Sequence, residues 1–322
     1  MMISIILNEW KILVRNRSIV YVSLVFMLSI ISVVWMGNLQ SKNQSQAQIA
    51  AEKHIRAQWD NLEPMNPHRA AHYGVYVFKP ISILNSLDDG VSSITGNVLK
   101  LEGHVQNEIV HSEASQSIVI SRFGKLKPST ILQYMVPLFL IFLSFGSISN
   151  DKETGRLKLI ALQGVSLEKL ILSKSLSIWL YGLILLIFSI LLQLLLGSSS
   201  VDFGTRIGFI LISYGLYYFI VVCLSTYISA SFKNNTSAIS LLLATWIMWT
   251  IFLPKIWGNT VEKVHPLPSR QNFISQMKED RSKGIDGHNP TDERRSKLKE
   301  EYLVKYNVDS LSQLPINFDG IV

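Results

Sequence analysis

Long stretches of this chain carry no charge. No Asp, Glu, Lys, Arg or His falls in Ser18–Ser41, Pro128–Asn150, Ser175–Val201, Ile207–Phe232 or Asn234–Pro254. The second and third of these windows run 23 and 27 residues. A hydrocarbon core of roughly 30 Å takes about 20 apolar residues of helix, and a buried helix of a water-soluble domain rarely sustains such a run. The five windows therefore read as five membrane spans. The same absence argues against several activities. Ion-coupled carriers keep a charged residue near the midplane. An intramembrane metalloprotease needs His and acidic ligands there. The plentiful serines leave a serine-based enzyme open, though it would have no His partner within a span.

Other features are equally scarce. The one cysteine, Cys223, lies in the fourth window, so no intrachain disulfide can form and the regions outside the membrane must fold without bridges. There is no GxxxxGK[ST] phosphate loop, because Gly124-Lys125 and Gly155-Arg156 lack its spacing and its Ser/Thr. Any ATP hydrolysis therefore belongs to another subunit. The first window is not a cleaved signal: it exceeds the usual apolar core of such peptides, and Trp35-Met36-Gly37-Asn38 has no small-x-small cleavage pattern. No internal repeat or low-complexity tract is present.

The charge that exists is placed asymmetrically. Of a net +7, the first 17 residues hold +2, the segment 150–174 holds +2 and Lys233 adds +1. The long regions 37–128 and 255–322 are each only +1, and the Gly197–Arg206 link is neutral. Positive-inside placement puts the N-terminus and the 150–174 turn in the cytoplasm, with both long regions outside.

The organisation that follows is a mainly α, polytopic membrane helix bundle with extracytoplasmic α or α+β insertions. Residues 1–17 form an interfacial helix, with Ile3, Ile6, Leu7, Trp10 and Val14 at helical spacing and Asn8, Glu9, Lys11 and Arg15 opposite. Spans follow at 18–37, 129–149, 175–197, 206–230 and 235–254. The 38–128 region should begin by continuing span one as a helix over Gln40–Asn61. Asn66-Pro67 is a cap-and-first-turn pair for a short helix that Gly74 ends. Val75–Phe78 has strand character, and Leu99–Ser112 reads as helical. In 255–322, Gly284, Gly287 and Pro290 mark a loop, after which Thr291 would cap a charged helix to about Tyr306.

The segment between spans two and three is the most informative. Asp151, Glu153-Thr154-Gly155-Arg156-Leu157, the leucine-rich Leu159–Leu162, the small loop Gly164-Val165-Ser166, the short helix Glu168–Leu172 and Lys174 stand in order before span three. With the interfacial helix, the outer insertion and the surrounding spans, this pattern resembles ABC-2-type permeases. Gly164 stands where that family often has proline, and Leu167-Glu168 where a basic residue is common. His68-Arg69-Ala70-Ala71-His72-Tyr73-Gly74, Leu101–Asn107, Arg122-Phe123-Gly124, Tyr306–Asp309 and Leu314–Gly320 further resemble a branch with a large insertion between spans one and two. The resemblance implies a sixth span, so the 322 residues are expected to be a truncated portion whose 255–322 region is incomplete.

The resemblance also implies roles. The permease would bind no cofactor itself. A separate ABC ATPase subunit, holding ATP and Mg, would drive export of an unidentified substrate. The 150–174 turn would pass the ATPase's motion to the spans, with Glu153, Arg156 and Lys158 as docking charges, Leu157, Ile160 and Leu162 as packing residues, and Gly155 between them. A homodimer or paired permease in the lipid bilayer would enclose the path, with no nucleic acid involved. A non-transporting membrane scaffold or sensor is the competing class. Five of seven histidines lie at 54, 68, 72, 104 and 111. His68 and His72 share a helix face at a spacing that can bind a metal, but no cysteine is near, and a surface role is the plainer reading.

Overall fold

The computed structural model describes residues 2–103, 125–196, 203–282 and 293–318. His104, His111, Arg122-Phe123-Gly124, the Gly284–Pro290 loop, Thr291 and Asp319-Gly320 lie outside the described residues. Five helices are long and apolar enough to cross a membrane: Arg17–Asp60, Pro128–Glu153, Leu167–Leu196, Gly204–Ser231 and Asn235–Val264, here spans one to five. The chain divides into two units, Met1–Leu253 and Pro254–Val322.

In the first unit, the N-terminal helix Met2–Arg15 and span one are separated by Asn16, whose side chain caps span one by accepting from the Ser18 and Ile19 amides at 3.1 and 3.4 Å. Span one then runs unbroken to Asp60, through the stretch expected to project beyond the apolar window. Span three begins at Leu167, so the short helix expected over Glu168–Leu172 is continuous with it. No Gly or Pro interrupts Leu167–Lys174 to end it.

Spans one to four share one core: Ile30, Val33 and Val34 meet Leu132, Val136, Phe139 and Leu140, Ile178, Leu185 and Leu186, and Tyr218 and Val222. A smaller cluster of Ile141, Ile228, Ala238 and Leu242 docks span five. In lipid, helices gain little from excluding water from one another, so close approach and hydroxyl bonding carry the packing. Ser144, Ser173, Ser175, Ser177, Ser189, Ser225, Thr226 and Ser229 are all buried, and the Ser175 and Thr226 hydroxyls meet across spans three and four at 2.9 Å. Gly182 lets span two approach: a Cβ there would lie 2.9 Å from Leu140 Cδ1.

Two short π-helical turns, Ile131–Met135 and Met248–Phe252, each end two residues before a proline, Pro137 and Pro254. Proline has no N–H for the carbonyls four and five residues back. For Pro137 those are Gln133 and Leu132, and span four supplies the missing donors. The Tyr217 hydroxyl bonds the Gln133 carbonyl at 3.1 Å and the Tyr218 hydroxyl bonds the Leu132 carbonyl at 2.9 Å.

The 38–128 region is tied to the bundle. The Asn66 side chain accepts from the Arg69 amide at 2.7 Å and Pro67 opens the short helix Pro67–Tyr73. Strand β1 (Val75–Phe78) pairs antiparallel with β2 (Val98–Leu101), with Val75 opposite Leu101. This corrects the helix expected from Leu99: the short aliphatic run Val98–Leu101 completes a ladder with β1, and pairing outweighs local preference. Leu87 enters the shared core, and the Lys127 ammonium bonds the Asn85 carbonyl at 2.7 Å and Asp89 at 3.2 Å. Buried Asn38 and Gln193 join spans one and three at 3.2 Å, and Gln193 also donates to the Ser86 hydroxyl.

The second unit opens with the helix Leu253–Val264, continues through Arg270–Ser282, and ends with Glu293–Tyr306 and a turn at Leu311–Gln313. Asn307 takes φ 52°, and the Val308 amide returns to the Leu303 carbonyl at 3.1 Å, a left-handed helix stop that asparagine tolerates. Phe318 is buried edge-on against Tyr302.

Candidate functional site

The turn between spans two and three is built from two glycine-bounded pieces. Gly155, φ 76°, separates the end of span two from the helix Arg156–Leu162, and Gly164, φ 83°, follows it. Neither glycine has a neighbour within 4 Å of where a Cβ would sit. Their role is conformational: the left-handed region that glycine reaches without strain.

The base of the turn is fixed to several elements. Span two's helix opens near Phe145–Ile148, and the Ser229 hydroxyl of span four accepts the Ile148 and Ser149 amides at 3.0 and 3.1 Å. Lys152 donates to the Ala230 carbonyl, and the Ser149 hydroxyl to the Asn235 side chain.

Four charges converge beside it. Asp151 is almost fully buried, its two oxygens 2.8 Å from Lys174 Nζ and 3.0 Å from an Arg156 guanidinium nitrogen. Lys174 also bonds the Ser147 carbonyl at 2.9 Å and Glu9 at 3.1 Å. A buried ammonium is tolerable only when its three protons find acceptors, and here all three do. Glu9 thus turns toward the bundle, although its place on the helix suggested the water side. Trp10 packs on Tyr181 at 6.1 Å, and Tyr181 bonds Ser23, so the N-terminal helix lies against span three. Ile3, Leu7 and Val14 remain exposed on it.

Of the residues expected to dock a partner, Glu153 and Lys158 are exposed, Leu157 is half-buried, and Leu162 is 84% exposed. Leu159, at 61%, adds to that apolar surface. Arg156 differs from the other charges: it is half-exposed but spends one bond inward on Asp151 and another on the Thr154 hydroxyl at 3.1 Å. Ile160 lines a cavity of about 730 Å³ between the N-terminal helix, the turn and the starts of spans one and three. Sequence reasoning had Asp151 and Lys174 as pattern residues and Glu9 as a polar-face residue, but not their joint network.

His68 and His72 do share a face, their Nε2 atoms 3.2 Å apart and rings edge to face. Among the described residues no group of three or more His, Cys, Asp or Glu side chains is placed to hold a metal ion.

Apolar helices packed through buried hydroxyls, with a braced charged turn between two of them, define a multi-pass helical membrane protein. The sequence model of the ABC-2 family transporter protein matches residues 67–263, well over half of the chain, and the chain belongs to that family. It is thereby a permease component of an ABC transporter, a membrane transport part without an ATPase motif of its own, whose family works in general with an ABC ATPase. No curated protein matches the chain.

Proposed function

We propose that this permease is the membrane subunit of an ABC exporter in a bacterial inner membrane, with its N-terminus and the 150–174 turn in the cytoplasm, and that the turn receives the motion of a separate ATPase subunit. The observation that carries this reading is the turn's combination of a braced base and an unpaid apolar tip. Leu159 and Leu162 stay exposed beside Glu153 and Lys158, while Lys174, Ser229 and Glu9 tie the base around Asp151 to three other elements. Such a lever transmits force because its base cannot yield independently of the spans. The charge distribution supports the orientation. Two copies, or a pair of permeases, would line the path, with ATP and Mg held on the partner.

The test is co-expression of the full chain with its ATPase subunit and substitution of Leu162→Asp. Loss of ATPase association with an intact permease supports docking at the turn. Unchanged association and unchanged transport-coupled ATPase activity removes the proposal.

A further inference from the structure

Two cavities on the turn side of the bundle share part of their walls. The larger, about 730 Å³, holds Glu9, Asp151, Arg156 and Lys174 in its lining. The second, about 390 Å³, is lined by Ser18, Ile19, Val22, Phe26, Leu138, Phe139, Phe142 and Leu143 of spans one and two. Ile19, Phe142 and Leu143 line both. An apolar groove along the membrane-embedded faces of two spans thus leads to a charged chamber at their end. Both volumes fall in the range of small-molecule sites, roughly 300–1,000 Å³, with mostly apolar walls and a few placed polar groups.

We propose that this composite site binds one membrane phospholipid with a zwitterionic ammonium–phosphate headgroup, its acyl chain in the groove and its head in the chamber. The chamber's charge selects the head. Two carboxylates and two cations balance, so the site offers no net attraction to an anionic head. Lys174 is already saturated by Glu9, Asp151 and the Ser147 carbonyl. What remains is one acceptor and one donor of opposite sign. Glu9 gives one oxygen to Lys174 and keeps 21% exposure of its side chain, which suits an ammonium. Arg156 gives one terminal nitrogen to Asp151 and keeps 53%, which suits a phosphate. The N-terminal helix walls the chamber, and its exposed Ile3, Leu7 and Val14 suit a place at the headgroup boundary.

Titration of the delipidated chain in detergent with phosphatidylethanolamine or phosphatidylglycerol, read by native mass spectrometry, tests it. One phosphatidylethanolamine per chain should be retained, about tenfold in preference to phosphatidylglycerol. Glu9→Gln should abolish that preference. Ile19→Trp, which fills the passage while leaving every ion pair intact, should reduce retention of both lipids by about tenfold. Equal retention of the two lipids by the unsubstituted chain overturns headgroup recognition. Retention unaffected by Ile19→Trp overturns the site. Since Cys223 is the only native cysteine, Ser4→Cys can also be cross-linked in a Cys223→Ser background. Efficient disulfide formation between two copies through Ser4→Cys would mean that protein fills the chamber, and would equally overturn the proposal.

Discussion

Lys174 Nζ lies 2.8 Å from Asp151 Oδ2, with both side chains less than a tenth exposed, and it bridges the end of span two to the start of span three. Truncating one member strands the other charge away from water, which costs about 3–5 kcal/mol, whereas replacing both with apolar groups costs much less. Lys174→Met should therefore lower the unfolding midpoint sharply. Asp151→Leu combined with Lys174→Met should recover part of the loss, although Glu9 and Arg156 then lose partners and keep the recovery incomplete. Thermal unfolding of the four species of the double-mutant cycle in detergent measures it. Additive losses would mean that the pair is not coupled.

Glu153 separates docking from bracing. It is exposed, and among the described residues no side-chain hydrogen bond or ion pair ties it to the base of the turn, so Glu153→Lys should change stability by no more than about 0.5 kcal/mol. Its effect should appear in ATPase activity that no longer responds to transport. Arg156→Glu should give the same uncoupling plus destabilisation of about 1–3 kcal/mol, because it sets a second carboxylate beside buried Asp151. The comparison is informative in both directions. A Glu153→Lys protein with normal expression and fully coupled ATPase activity would remove Glu153 from the interface.

The Tyr218 hydroxyl compensates for a proline. Tyr218→Phe leaves the buried Leu132 carbonyl without its donor, and the expected loss is about 1–3 kcal/mol. Pro137→Ala restores an N–H to the carbonyls that Tyr217 and Tyr218 now serve. In a Pro137→Ala background, Tyr218→Phe should then cost markedly less. An unchanged cost, read from unfolding midpoints, would show that the tyrosine acts through packing alone.

What could be read from the sequence follows from the range of the interactions involved. The charge-free windows, the Asn66-Pro67 cap and the Val75–Phe78 strand depend on neighbours a few residues apart, and each stands where its local pattern put it. Leu99–Leu101 reads locally as helix because the strand that pairs with it lies more than twenty residues upstream. Glu9 was placed toward water for a related reason. Helical periodicity separates polar from apolar faces but cannot tell that Lys174, distant in sequence, presents an ammonium proton beneath the helix. The π-helical turns had a legible cue in Pro137 and Pro254, yet the hydroxyls that stabilise the first come from span four and emerge only from packing. In the turn, residue types were legible but their direction was not: Arg156 faces Asp151, while Leu159, absent from the expected packing set, stands outside beside Leu162.

Gly155 offers a test of whether the turn's angle matters apart from its contacts. At φ 76° an alanine is strained by about 1–2 kcal/mol, while asparagine visits this region readily. No atom lies within 4 Å of the site of a Cβ, so steric collision plays no part and side-chain size should be irrelevant. Gly155→Asn should therefore retain both stability and coupled ATPase activity. Gly155→Val should pull the backbone toward negative φ and re-aim the helix Arg156–Leu162 relative to the base that Asp151 and Lys174 hold in place. Since the base is braced, the strain has to be relieved in the turn, and the exposed pair Leu159 and Leu162 would move off the surface they are proposed to meet. The ordering expected for coupled ATPase activity is Gly, then Asn, then Ala, then Val, following backbone preference rather than volume. An ordering that followed side-chain volume, with Asn as damaging as Val, would mean that something closes over Gly155 in the assembled transporter and that space, not angle, fixes the glycine.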